Sequence, residues 1–98
     1  MGDSYLPKCY KSMKIISNDD AIVLQGKKLK SLFIRYNKTN RMCVVEVSKR
    51  AGRVCNYLDT KFYGEVGGYH YKVLYSIEPA DFIEIAEDID AFITMLYS

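Results

Sequence analysis

Apolar positions keep a two-residue repeat through the middle of this chain and change to a helical repeat near its end. Across 29–36, Leu32, Ile34 and Tyr36 point one way and Ser31, Phe33 and Arg35 the other, the alternation of a strand with one buried face. The polar turn Asn37-Lys38-Thr39-Asn40 leads into a β-branched run at 42–48, with Val45 and Val47 on one face and Val44 and Glu46 opposite. After Arg50-Ala51-Gly52-Arg53, the segment 54–63 reads as a third strand, with Val54, Leu58 and Phe62 set against Cys55, Tyr57, Lys61 and Tyr63. Glycines at 64, 67 and 68 break the chain. The fourth strand then covers 69–77, with Tyr71, Val73, Tyr75 and Ile77 on one face and His70, Lys72 and Leu74 on the other.

The period changes at Ser76-Ile77-Glu78-Pro79-Ala80-Asp81-Phe82. Pro79 suits the first helical position, where a missing N–H costs nothing, and Asp81 complements the positive end of the helix dipole. Phe82, Ile85, Ile89, Phe92 and Leu96 recur at three- and four-residue spacing, so a helix with one apolar stripe is expected. Upstream, 13–16 and 21–24 can form a short hairpin about Asn18-Asp19-Asp20. Residues 1–12 lack a period and read as a frayed arm whose Tyr5, Lys8, Tyr10 and Lys11 can touch a polyanion.

Short loops favour an antiparallel meander, because parallel pairs need long crossovers. The expected fold is α+β: a curved antiparallel β-meander of about four strands followed by one C-terminal amphipathic helix that covers one sheet face. Residues 1–20 form an N-terminal arm or short hairpin, and 21–98 a single domain.

Composition adds a strong asymmetry. All 14 Lys and Arg lie in the first 77 residues against six acidic residues, about +8; six acidic residues and no basic one follow from Glu78, about −6. Three cysteines at 9, 43 and 55, an odd count without a Cys-x-x-Cys, fit reduced thiols. With no apolar run near the 18 or so residues of a membrane span and no signal-peptide core, an intracellular protein is expected. That means the nucleus for a eukaryotic or viral source and the cytoplasm otherwise, with no membrane partner.

Catalytic chemistry finds no support. His70 is the one histidine, so no Ser or Cys nucleophile has its own base and orienter. Glu84, Glu87, Asp88 and Asp90 are explained by solvation of a helix face. Gly64-x-x-Gly67-Gly68 lacks the Lys-Ser/Thr of a phosphate loop. No catalytic residue, metal ligand or cofactor is expected, and the protein is read as not an enzyme.

A binding surface remains. Phe33 with Arg35, Tyr57 with Lys61 and Tyr63, and His70 with Lys72 interleave aromatic and basic groups on the face assigned away from the helix, while turns add Lys38, Arg41, Lys49, Arg50 and Arg53. Aromatic platforms in a positive field suit single-stranded nucleic acid, where stacking contributes about 1–3 kcal/mol per base.

From Lys27 to Phe92 the chain resembles the positive-cofactor-four family of transcriptional coactivators. The family's entry into its helix, Ser-Leu-Thr-Pro-Glu-Gln-Trp, resembles Ser76-Ile77-Glu78-Pro79-Ala80-Asp81-Phe82, and its apolar helix positions fall on Ile85, Ile89 and Phe92. Its first strand resembles Leu32-Phe33-Ile34-Arg35 and its second Val45-Glu46-Val47-Ser48. Its Lys-Lys-Gly stands here as Lys72-Val73-Leu74. The resemblance implies a homodimer that binds single-stranded DNA in transcription, replication or repair. Its interface would be the helix stripe Phe82, Ile85, Ile89, Phe92 and Leu96. Arg35, Lys61 and Lys72 would meet phosphates; Phe33, Tyr57 and Tyr63 would stack on bases. The residues do not separate DNA from RNA. An alternative is a small protein–protein adaptor or inhibitor using the acidic helix or exposed tyrosines.

Overall fold

The computed structural model describes residues 10–48, 50–61 and 70–97, with the backbone alone at 59–61 and 70–72. Five strands, β1 (Met13–Asn18), β2 (Ala21–Gly26), β3 (Phe33–Asn37), β4 (Met42–Val47) and β5 (His70–Leu74), form one sheet. Their spatial order is their chain order, and every neighbouring pair is antiparallel. Helix α1 (Gly52–Lys61) lies between β4 and β5 in sequence, and α2 (Pro79–Leu96) follows β5. The fold is therefore α+β, an antiparallel meander with a C-terminal helix.

The alternation does what it dictates. Ile22 and Leu24 of β2, Ile34 and Tyr36 of β3, and Cys43, Val45 and Val47 of β4 are all buried, while the residues between them are partly exposed. The hairpin expected near the N-terminus exists: β1 pairs with β2, with a bulge between Ile15 and Ser17. The arm does not begin where its lack of period suggested. Tyr10 is in the core, and the Asp90 carboxylate of α2 accepts hydrogen bonds from the backbone N–H of Lys11 (3.3 Å), the N–H of Ser12 (2.7 Å) and the Ser12 hydroxyl (2.6 Å). Tyr5 and Lys8 lie outside the described residues.

One segment differs in kind. The third expected strand is α1. Val54, Leu58 and Phe62 are four apart, a spacing that satisfies both a period of two and one of 3.6. Cys55 decides between them: it is buried beside Val54 and Leu58, and two adjacent buried positions share one face on a helix and not on a strand. The helix is entered through Ser48, whose carbonyl accepts from the Ala51 N–H (3.0 Å) and the Cys55 thiol (3.2 Å). Phe62 and the glycines at 64, 67 and 68 lie outside the described residues.

The buried line of α2 runs through Phe82, Ala86, Ile89 and Ile93. The expected stripe is thus rotated: Ile85, Phe92 and Leu96 flank the core, partly buried, and Phe92 stacks on Tyr57 of α1 with centroids 4.0 Å apart. At the other end, Tyr36 fixes the start of α2 by stacking on Phe82 (4.6 Å) and donating its hydroxyl to the Ile77 carbonyl (2.6 Å).

Gly26 is needed where β2 turns toward β3. A Cβ there would collide with the Leu29 carbonyl oxygen, a backbone atom that cannot rotate away. Gly26→Ala should cost about 1–3 kcal/mol or more through overpacking. Gly52→Ala, exposed at the first position of α1 with nothing near the new methyl, should stabilise by up to about 1 kcal/mol, chiefly by narrowing the unfolded ensemble. Urea midpoints of the two variants check this pair, and a Gly26→Ala midpoint equal to the parent's refutes the crowding argument.

Candidate nucleic-acid interface

The two helices cover one sheet face, and the register assigns the residues of the other. Val23, Arg35, Val44 and Val73 form one row across the strands; Gln25, Phe33, Glu46 and Tyr71 occupy the next. Phe33 and Arg35 do share this outer face. Arg35 is already engaged, however: its Nη1 donates to the Glu46 carboxylate and its guanidinium carbon lies 5.1 Å from the Phe33 ring centroid. Among the described residues the outer face therefore presents an aromatic ring, three valines and one exposed cation outside any ion pair, Lys14, beside Gln25 in the same row.

His70 and Lys72 do not fall in those rows. In the backbone register Lys72 is paired with Val45 and His70 with Val47, two of the three β4 positions that face the core. In that register these two stand one residue out of step with Phe33 and Arg35. Tyr57 also leaves the group. It lies on α1, stacks on Phe92 and donates its hydroxyl to the Asp88 Oδ2 (2.8 Å), both on α2. Lys61 closes α1, its backbone alone described; Lys49 and Tyr63 lie outside the described residues.

The turn cations separate by sheet end. Lys38 and Arg41 flank the β3–β4 turn, where Asn37 Oδ1 accepts from the N–H of Thr39 (2.8 Å) and Asn40 (3.1 Å). Arg41 pairs with Glu78 (2.8 Å). Arg50 and Arg53 lie at the opposite end, a strand of five residues away, or about 16 Å at 3.3 Å per residue. There they join residues whose role the alternation did not single out. Gly26 N–H bonds the Leu32 carbonyl (3.0 Å), Lys27 N–H the Ser12 carbonyl (2.8 Å), and Ser48 N–H the Ser31 hydroxyl (3.3 Å). These bonds gather the approach to β1, the β2–β3 loop and the β4–α1 loop. Lys11, Lys27, Lys28, Lys30, Arg50 and Arg53 are all exposed there, and none forms an ion pair among the described residues. The start of α1, with no acidic residue in its first turn, adds the positive end of a helix dipole. The signal was present as Lys27-Lys28-x-Lys30, a cationic run in a loop.

The acidic groups collect elsewhere. Asp81, Glu84, Glu87 and Asp88 are exposed along α2. Among the described residues no cluster of three His, Cys, Asp or Glu is arranged to hold a metal ion, and no helix is long and apolar enough to cross a membrane.

Three sheltered groups set a pH limit, the first being Tyr10, whose phenol is raised by burial and by the nearby charges of Glu87 and Asp90. Burial pushes the Cys43 thiol from 9.0 up to about 12, and burial followed by the hydrogen bond to Asp88 pushes the Tyr57 phenol from 10.0 up to about 12. Each resists ionisation only in the folded chain, so the stability linked to it is complete below the unfolded pKa and is lost as pH rises through the folded one. Unfolding free energy should fall above pH 9, with Cys43 accounting for on the order of 2 kcal/mol by about pH 10.5. Chemical denaturation from pH 7 to 10.5 tests this: Cys43→Ala should flatten the decline, and an equally steep decline in that variant refutes it.

The chain matches no family model, no curated protein and no solved structure.

Proposed function

We propose that the chain is a non-enzymatic binding protein for single-stranded nucleic acid. The observation that carries this is the gathering of Lys11, Lys27, Lys28, Lys30, Arg50 and Arg53 at one end of the sheet, without ion pairs among the described residues, while exposed acids line α2. Such a division draws a polyanion to one end and repels it from another. Phe33 opens β3 directly after the cationic loop and supplies an aromatic surface to an unpaired base. In this proposal the phosphate contacts shift from Arg35, held by Glu46, to the loops.

A homodimer through the α2 stripe has less surface than expected. Phe82 and Ile89 are fully buried within one chain, which leaves Ile85, Phe92 and Leu96 partly buried beside them.

The test is fluorescence anisotropy of labelled oligothymidine, and of a duplex of equal length, at low and moderate salt, with solution mass measured alongside. Expected is binding at low salt that favours the single strand and weakens steeply as salt rises. Absence of binding at low salt overturns the proposal.

A second reading, a protein adaptor, rests on the exposed acidic face of α2 together with Tyr75, 70% exposed, and Met95, 65% exposed. Binding to a basic peptide with no affinity for oligonucleotide would select it.

A further inference from the structure

Where the last turns of α2 meet the approach to β1 and the β2–β3 loop, there is a cavity of about 210 Å³. Three of its lining residues are cations of the gathered end: Lys11, Lys27 and Lys28. Ile93, Thr94 and Tyr97 of the α2 end form much of the remainder, joined by Ser12. Ser12 is already occupied, since its N–H and hydroxyl both bond Asp90.

Thr94 is different. Its Oγ1 is buried and has no hydrogen-bond partner among the described residues. A helical threonine commonly bonds the carbonyl four residues back, but Thr94 makes no such bond here. A buried hydroxyl left unpaired costs stability, and a ligand group in the cavity would satisfy it. The cavity thus combines a cationic rim, one unpaired hydroxyl and a wall made of an aliphatic chain and an aromatic ring. A bare anion would have no use for that wall, and a purely apolar ligand none for the rim. The volume is below the roughly 300–1,000 Å³ of pockets for drug-sized ligands.

We infer that this cavity receives one unstacked nucleotide. Its base lies against Tyr97 and Ile93, its polar edge meets Thr94 Oγ1, and its phosphate meets Lys11, Lys27 and Lys28. This deepens the proposed nucleic-acid function and rests on it. Lys27 and Lys28 belong at once to the cavity and to the cationic loops, so a strand tracking the loops would pass the cavity mouth. The negative end of α2 lies on the same side and opposes a bare phosphate, so the three lysines and the contacts to the base must together outweigh it.

The test follows amide resonances of the full chain while thymidine 5′-monophosphate, thymidine or inorganic phosphate is added. The monophosphate should shift the amides of Lys27, Lys28, Thr94 and Tyr97 saturably, at concentrations at least roughly tenfold lower than either fragment requires. Thr94→Val should fold at least as stably, since it removes an unpaired polar atom. It should bind the monophosphate about tenfold more weakly, the scale set by loss of one hydrogen bond. Equal shifts with inorganic phosphate, unchanged affinity in Thr94→Val, or shifts absent from these four amides each overturn the inference. The same samples are titrated with labelled oligothymidine. Binding of the oligonucleotide with a silent cavity overturns the cavity alone. No oligonucleotide binding at low salt removes the function on which it rests.

Discussion

Phe82→Ala should lower the unfolding free energy by about 3–5 kcal/mol, the range for deleting a buried aromatic side chain. Phe82 has no solvent exposure and stacks on Tyr36, with centroids 4.6 Å apart and planes within 7°. It sits in the first turn of α2, so its loss loosens the helix where the chain leaves the sheet. The effects then compound. Tyr36 loses a ring partner, a contact contributing about 0.5–1.5 kcal/mol beyond area, and its hydroxyl bond to the Ile77 carbonyl is no longer braced from the helix side. Against a total stability of about 5–15 kcal/mol, such a loss brings a domain of this size close to unfolding. Urea denaturation should show a lowered midpoint with an unchanged slope. Met95→Ala on the same helix, 65% exposed, should move stability by less than about 0.5 kcal/mol. A loss below about 1 kcal/mol in Phe82→Ala would mean that the Tyr36–Phe82 stack does not hold α2 to the sheet.

How much of this was legible follows from how local each signal is. Leu32, Ile34, Tyr36, Val45 and Val47 declared their face by alternation, which needs only neighbours in sequence, and all five are buried. The start of α2 at Pro79 was equally local. Segment 54–63 failed because its apolar residues recur at four, a multiple of one repeat and nearly one turn of the other. The burial of Cys55 beside Val54 was the discriminating fact, and it is tertiary. Phe82 and Ile89 belong to the apolar stripe expected to cover the sheet, and they are buried; the second copy that the resemblance implies for the same stripe is a separate matter. For the interface, the alternation paired aromatic with basic residues along strands, whereas charge is gathered by which loops share an end. That depends on strand order and on contacts such as Ser31 with Ser48. Arg35 illustrates the same limit. Glu46 is 11 residues away in the chain but diagonally across from it in the sheet, opposite Phe33, so its cancellation becomes visible only with the register.

Lys27→Gln, Lys28→Gln and Lys30→Gln combined should weaken binding to oligothymidine by roughly 10²–10³-fold at about 50 mM salt. They should also flatten its salt dependence. Each phosphate neutralised on a single strand contributes a slope of about −0.7 in log affinity against log salt, so three lost contacts change the slope by about two. The slope is the sharper measure, because a variant that merely perturbed the loop would lose affinity at every salt concentration alike. All three residues are exposed and form no ion pair among the described residues, so stability should hold within about 0.5 kcal/mol. Two controls locate the effect. Lys38→Gln with Arg41→Gln removes two cations at the far end of the sheet, where Arg41 is paired with Glu78, and should leave the slope nearly unchanged. Arg35→Gln removes a cation bonded to Glu46 and stacked on Phe33; its effect on the slope should also be small, because the charge it carries is already answered. If the triple variant keeps the parent slope while Arg35→Gln flattens it, phosphates run across the sheet face and not along its cationic end. Equal flattening by the far-end pair would mean that the field of the whole chain, rather than one gathered end, attracts the strand.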